Sequence, residues 1–349
     1  MTGPRDNPKP ASWTAQLEGC GAAAFCAAII ASPLGWKLPV GLAAVLPCDA
    51  LMAAGAVFFL PAFLRAFPSS WRPVGPCLPL LGVASVSALA GGNVGNGARE
   101  LIQLALYAGC GVWVCSRVVA RPGGVWGVRV AAGLGFAVAV AGLLLHAVFP
   151  GSRAARMYTV GPALAFVPWI LAGVYIGLTP RIQRASVIGL LASAGILTIF
   201  FLHPSEKPVG PEPVPQLRSE IGQRWLEAYA AVSVVSRFPL LGLGPGNYQE
   251  HVGAYYGTLP KDNTMAAGSQ VGYAVVVASM GLLGLAAVLY WFAQLAVWML
   301  EARPPACVLA TTLVVAAAAG LFAPLFVSQM LAPLALVHGV AWGRRTGHV

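Results

Sequence analysis

Residues 269–291 read SQVGYAVVVASMGLLGLAAVLYW, and none of these residues carries a formal charge. The apolar character continues to residue 300. A membrane-spanning helix needs about 20 mainly apolar residues, because the hydrocarbon core of a bilayer is about 30 Å thick. The stretch 268–300 therefore predicts one spanning helix.

Comparable apolar stretches recur along the chain and predict further spanning helices. One of them, 306–342, contains Pro324 and Pro333, so it is either one span or two short ones. The chain is therefore predicted to be all-α, a polytopic integral membrane helix bundle with nine or ten spans. The other predicted spans are 19–36, 40–64, 74–91, 101–119, 126–149, 159–178 and 185–202.

The composition supports a membrane location. Only 9% of the residues are charged and the mean hydropathy is +0.76, whereas a soluble domain carries roughly 25% charged residues. The net charge of +10 does not indicate nucleic-acid binding, because the basic residues occur in ones and twos at the ends of apolar stretches. A nucleic-acid-binding protein would instead show a basic patch. The expected surroundings are a lipid bilayer, and no nucleic-acid partner is expected.

The distribution of basic residues predicts the topology. With a cytoplasmic N-terminus and ten spans, twelve basic residues lie inside and four lie in short outer loops. Cytoplasmic loops carry such an excess, so the bias favours ten spans and places 203–264 outside as one large loop. The first seventeen residues lack the features of a secretory signal, so we expect the first span to be retained. The predicted organisation is a cytoplasmic tail 1–17, a transmembrane bundle 18–202, an outer loop 203–264 and C-terminal transmembrane helices 265–349, in the cytoplasmic (inner) membrane.

The outer loop contains a predicted amphipathic helix over 216–236. Apolar residues recur there at spacings of three or four, which is typical of one helix face. We expect this helix to lie at the membrane interface with its apolar face on lipid or on the bundle. The predicted apolar stripe consists of Leu217, Ile221, Trp225, Ala228 and Val232.

A turn-forming stretch, FPLLGLGPGNYQEH, follows at 238–251. Gly242, Gly244 and Gly246 are able to take positive φ, and Pro239 and Pro245 fix their own φ. The stretch predicts a tight turn with several unpaired backbone N–H groups that are able to face an anion. The alternative is a rigid connector between two helices.

These motifs together resemble the O-antigen ligase and O-antigen polymerase family of membrane glycosyltransferases. The resemblance covers roughly 218–290 and consists of an Arg-bearing helix, the GPGN turn and the GLLG at 281–284, which lies within a predicted membrane span. Upstream, ELIQLALYAGCGVWV at 100–114 is similar to earlier helices of that family. The many-spanning architecture and the large outer loop agree with it.

The resemblance implies a substrate class and a set of site residues. The donor would be a polyprenyl-diphosphate-linked glycan, the acceptor a glycan or lipid, and no metal or other cofactor is implied. Arg224 would stabilise the departing diphosphate, since a guanidinium pairs well with phosphate. By position alone, Arg218, Arg153 and Arg156 are further candidates for substrate binding. The turn residues that match the family motif are also expected to bind substrate: Gly244, Gly246, Asn247 and Tyr248.

One departure from the family pattern leaves enzymatic activity open. The family has a histidine that helps to activate the acceptor, and Gln270 stands at that position. Glutamine forms hydrogen bonds but does not take up a proton near pH 7. His251 is a possible substitute. The alternatives are an inactive, glycan-binding family member and a polytopic transporter or flippase.

A few residues outside the loop also require an interpretation. Asp49 lies within a predicted span, where an acid is either functional or close to the interface. His146 and His338 lie near span ends and are expected to be packing residues. No Cys or His cluster has metal-ligand spacing. All seven cysteines are expected to be small buried hydrophobic residues.

Overall fold

The computed structural model describes residues 13–35, 38–40, 43–67, 71–92, 94–149, 152–158, 162–179, 220–248, 271–301, 306–321, 323 and 325–349. Helices account for most of these residues, as the sequence predicted. The α-helices are α1 (Trp13–Ala31), α2 (Pro47–Ala66), α3 (Leu78–Ala90), α4 (Val94–Leu104), α5 (Val112–Val119), α6 (Gly124–Val148), α7 (Arg153–Arg156), α8 (Pro162–Gly177), α9 (Glu220–Arg237), α10 (Gly272–Glu301), α11 (Ala306–Ala319) and α12 (Ser328–Arg345). A 3₁₀ turn, Gly75–Cys77, precedes α3, and a π-helical segment, Ala105–Gly111, joins α4 to α5.

Five described helical segments are long and apolar enough to cross a membrane. They identify the chain as an all-α membrane bundle. The predicted span 185–202 lies outside the described residues, and the predicted outer loop 203–264 is described only from Glu220 to Tyr248. The five segments are Trp13–Ala31, Pro47–Ala66, Gly97–Val119, Gly124–Val148 and Gly272–Glu301.

The prediction that the second span begins at residue 40 was wrong. Instead of a helix from residue 40, the chain forms two short antiparallel strands, β1 (Leu38–Val40) and β2 (Ala43–Val45). Leu38 is paired with Val45 in this hairpin. The helix α2 begins only at Pro47, where a proline is tolerated because the first turn of a helix needs no N–H donor.

The apolar stretch 306–342 divides into α11 and α12. Pro333 lies inside α12 without ending it. Most of α12 is buried, and it packs against α5, α8 and α10. Within this core, the Nε1–H of Trp291 donates to Nδ1 of the fully buried His338 at 2.9 Å. His338 is therefore a packing residue, as the sequence predicted.

The helix α10 is broken near one end. Gly281 has φ 65° and ψ −165°, a combination that only glycine adopts readily. The break separates residues 272–280 from residues 282–301. It also interrupts the helical hydrogen bonds around it, and the candidate site is built at this point.

Candidate functional site

The break at Gly281 is filled by the turn that follows α9. In a continuous helix, the carbonyls of Ala278 and Ser279 would accept from the N–H groups four residues later. Here the N–H of Leu243 donates to the Ala278 carbonyl at 2.9 Å, and the N–H of Gly244 donates to the Ser279 carbonyl at 2.8 Å. The turn therefore satisfies the carbonyls that the break exposes.

The N–H groups that the break leaves unpaired in α10 are in turn bound by carbonyls of the turn. The N–H of Leu282 donates to the Pro239 carbonyl at 2.9 Å, and the N–H of Leu283 donates to the Leu240 carbonyl at 3.4 Å. A buried polar backbone group that is left unpaired costs about 1–3 kcal/mol. The stretch 239–244 and the broken helix thus complete each other's hydrogen bonding.

Glycine is required on both sides of this contact. Gly242 and Gly281 have φ values of 63° and 65°. A Cβ atom on Gly242 would overlap the Ala278 carbonyl, and a Cβ atom on Gly281 would overlap the Leu240 carbonyl. The first glycine of GLLG is therefore explained by the turn that packs against it.

The end of α3 holds the turn from a third side. The buried Ser87 Oγ lies 2.8 Å from the Ser279 carbonyl and also contacts the Leu241 carbonyl. The Asn247 amide donates to the carbonyls of Gly91 and Leu243, at 3.1 Å each. These bonds fix the turn between α3 and the break in α10.

The sequence predicted unpaired N–H groups in this turn, and the structure contradicts that expectation. The N–H groups of Leu243 and Gly244 bind α10, and that of Asn247 binds the Gly244 carbonyl at 3.2 Å. The N–H of Gly246 donates to the side-chain carboxyl group of Glu100 in α4. The turn therefore uses these donors within the protein. The positive φ values of Gly242, Gly244 and Gly246 agree with the prediction.

A small cavity lies beside Glu100. Its volume is about 10 Å³, which is about the room that one water molecule needs. Pro245, Ser279 and Phe326 form part of its wall. The cavity is too small for a sugar, so Glu100 acts here as a partner of the turn.

A second bond joins α9 to the start of α10. The carboxylate of Glu227 accepts from the backbone N–H of Val271 at 2.8 Å, and Glu227 is only 7% exposed. An acidic side chain is favourable at a helix N-terminus, where N–H groups lack partners within the helix. This bond fixes α9 beside the N-terminal part of α10, residues 272–280.

The face of α9 that packs against α10 differs from the predicted stripe. Ala230, Ala231 and Val234 are buried against α10, whereas Val232 is 67% exposed. Small residues allow two helices to approach closely, so alanines form the contact and larger residues face outward. The predicted apolar stripe of α9 was therefore wrong at Val232, which does not face α10. The side chains of Ile221 and Trp225 lie outside the described residues.

An open cleft of about 440 Å³ runs along the turn. Arg237 lies at its edge, beside Phe238 and Leu240, and Gly91 of the α3 side contributes to its wall. Phe238 is 45% exposed and Leu240 is 60% exposed. The cleft therefore combines a guanidinium with exposed apolar surface.

Asp49 belongs to a separate polar cluster. Its carboxylate accepts from the Tyr107 hydroxyl at 2.6 Å and lies 3.4 Å from the Gln103 amide nitrogen. Gln103 also donates to Ser328 at 2.9 Å. The cluster connects the first turn of α2 with the π-helical segment and α12. Among the described residues, no group of three or more His, Cys, Asp or Glu side chains is arranged to hold a metal ion.

The predicted site residues are described to different extents. Arg224 lies in α9 and Arg156 ends α7, but their side chains lie outside the described residues. Arg153 is exposed at the start of α7, which packs on α6. Gly244, Asn247 and Tyr248 are buried around the turn, with Gly246 half-buried. Arg218, His251 and Gln270 lie outside the described residues.

Several residues that build the site were not predicted from the sequence. Ser87 and Gly91 support the turn, Glu100 binds it, and Arg237 lies at the cleft. A signal for Gly91 and Glu100 was present in GGNVGNGARE at 91–100, a second stretch rich in glycine and asparagine. Such a stretch between two apolar helices indicates close backbone contact with another turn.

Replacing Ser87 by alanine is expected to destabilise the protein by about 1.5 kcal/mol, because the carbonyls at the break lose a buried hydroxyl donor. Unfolding in detergent, followed by tryptophan fluorescence, measures this loss. Ser85→Ala is the matched control, since the exposed Ser85 hydroxyl binds only the Leu81 carbonyl of its own helix. Equal effects of the two substitutions would contradict the supporting role of Ser87.

Comparison with known proteins does not identify a family: no protein-family model matches the chain, and the search of curated proteins gives no match. The functional assignment therefore depends on the sequence motifs and on the geometry described above.

Proposed function

We propose that this chain is a membrane glycosyltransferase of the O-antigen ligase and polymerase type. In this proposal it transfers or polymerises a polyprenyl-diphosphate-linked glycan at the outer face of the cytoplasmic membrane. The observation that carries the proposal is the bond between Glu227 and Val271. Arg224 precedes Glu227 by about one helical turn, and Gln270 directly precedes Val271. The bond thus connects the two chain segments in which the resemblance locates catalytic residues.

The position of the break in α10 supports a site at the membrane surface. Residues 282–301 alone form about 30 Å of helix, which is enough to cross the hydrocarbon core. Residues 272–280, with the turn and α9, would then lie at one end of the span. The excess of basic residues on the opposite side favours the outer face for this end.

Glu227 supplies the proton-accepting group that glycosyl transfer to a hydroxyl requires. In the proposed step the acceptor oxygen bonds to the anomeric carbon of the donor. The bond from that carbon to the diphosphate oxygen breaks, and its electron pair leaves with the diphosphate. The hydroxyl proton passes to the Glu227 carboxylate, and Arg224 stabilises the new charge on the diphosphate. Glu227 thereby replaces the histidine that the family has at Gln270.

The cleft along the turn suits the lipid part of the donor. Its volume of about 440 Å³ falls within the range of about 300–1,000 Å³ that is usual for ligand pockets. The exposed Phe238 and Leu240 would contact isoprene units, and Arg237 would attract phosphate. Val271 is ten residues before Gly281, about 15 Å along a helix, so the donor would extend from the cleft along α10.

The proposal is tested with the purified protein and lipid-linked glycan extracted from cells that lack it. The wild-type protein is expected to transfer the glycan and release polyprenyl diphosphate, and Arg224→Ala is expected to lower the rate at least 100-fold. Arg345→Ala serves as control, because Arg345 pairs with Glu301 at the other end of α10. Unchanged glycan in the deletion strain, or an Arg224→Ala protein as active as the wild type, would refute the proposal.

A further inference from the structure

An apolar groove of about 260 Å³ lies on the surface of the bundle, far along the chain from the turn. It runs between α2, α3 and the π-helical segment. The side chains of Phe63, Trp71 and Trp113 line one end, and Ala105 lines the groove farther along. Dry apolar cavities of about 150 Å³ already bind benzene-sized molecules, so this groove has room for part of a hydrocarbon chain.

The aromatic end of the groove is rigid. The rings of Phe63 and Trp113 meet edge to face at 5.1 Å between centroids, and those of Phe63 and Trp71 at 5.7 Å. Trp113 is 4% exposed and forms the base, whereas Trp71 is 40% exposed at the rim. Half-exposed tryptophans are typical of the level at which a bilayer meets water. The groove therefore extends from the membrane surface into the hydrocarbon.

Two exposed arginines are close in sequence to the tryptophans at this aromatic end. Arg72 directly follows Trp71, and Arg117 follows Trp113 by four residues, which is one helical turn on the same face of α5. Both belong to the segments that the charge bias assigns to the cytoplasmic side. The cytoplasmic leaflet carries anionic lipids, which attract arginines near the membrane surface.

The other wall of the groove is a π-helical segment, Ala105–Gly111. Such segments are rare and occur frequently at functional sites. The residues that it turns toward the groove are small, namely Ala105, Gly109 and Cys110. Small side chains leave the depth of the groove open along about 12 Å of helix between Ala105 and Trp113.

We infer that this groove binds one acyl chain of an anionic phospholipid from the cytoplasmic leaflet, with the lipid phosphate held by Arg72 and Arg117. The acyl chain lies against Phe63 and Trp113 and extends toward Ala105. This site is independent of the proposed glycan transfer, because it lies in the opposite leaflet. Its effect is selective retention of anionic lipid at the bundle surface.

The test measures the lipids that the purified full-length protein retains, by native mass spectrometry, from vesicles of phosphatidylglycerol and phosphatidylcholine with the same chains. The wild-type protein is expected to retain phosphatidylglycerol in preference. Arg72→Gln with Arg117→Gln is expected to reduce that preference at least fivefold, since each arginine near a membrane contributes about fivefold. Ala105→Phe, which fills the groove, is expected to reduce retention of both lipids.

A matched control removes two arginine charges at positions away from the groove. Arg129 lies over the Tyr175 ring, and Arg345 pairs with Glu301, both away from the groove. The Arg129→Gln, Arg345→Gln protein should keep the wild-type preference, and thermal unfolding checks that every variant is folded. Equal retention of the two lipids by the wild type would overturn the inference. An equal loss in the control, or preferred retention of an isoprenoid phosphate added to the vesicles, would also overturn it.

Discussion

Glu227→Gln is expected to lower the rate of glycan transfer at least 100-fold while leaving the protein folded. General-base catalysis contributes about 10²- to 10⁴-fold, and glutamine does not accept the proton. The amide oxygen of glutamine still accepts from the Val271 N–H, so the contact between α9 and α10 remains. The measurement compares transfer from lipid-linked glycan with thermal unfolding of the same samples.

A second substitution separates catalysis from packing. Adding Gln270→His to the Glu227→Gln protein is expected to restore transfer, because a histidine then stands at the position where the O-antigen ligase and polymerase family has one. The rate of this double variant should fall as the pH drops below about 6.5, where histidine becomes protonated. Full activity of Glu227→Gln would exclude Glu227 as the base. Loss of activity together with loss of folding, without rescue, would limit Glu227 to joining the two helices.

Gly281→Ala is expected to have the largest effect on stability, a loss of about 3 kcal/mol. A non-glycine residue with these dihedral angles costs about 1–3 kcal/mol, and the added Cβ also overlaps the Leu240 carbonyl. Unfolding in mixed detergent micelles, followed by tryptophan fluorescence, measures the change. Gly82→Ala is the control, because nothing lies within 4 Å of a Cβ atom at Gly82 in α3. That substitution should be neutral or slightly stabilising.

The helices were largely predictable from the sequence, because long apolar stretches leave few other folds in a bilayer. The hairpin at 38–45 was not predictable, since its residues are as apolar as those of the adjoining helix. The π-helical segment Ala105–Gly111 was also missed. It depends on packing between helices, which hydropathy does not report.

The candidate site was predictable only in part. The glycines of the turn indicated positive φ, and three of them have it. The bonds that the turn makes were not predictable, because their partners lie 35 or more residues away at the break in α10. Gly281 itself sits in an apolar stretch where glycine is common, so nothing local marks the break. The buried Glu227 was not predicted as a site residue, because its contact with Val271 is between distant parts of the chain.

The exchange of hydrogen bonds at Gly281 has a consequence for biogenesis. Gly244 precedes Gly281 by 37 residues, so the ribosome makes the turn about two to seven seconds before the break. The two parts of α10 are therefore synthesised after the turn that binds them. A circular permutation that placed the turn after α10 would reverse this order. The nascent helix would then enter the translocon with four backbone hydrogen-bonding groups unpaired. We therefore expect such a chain to accumulate poorly, although its final contacts are the same.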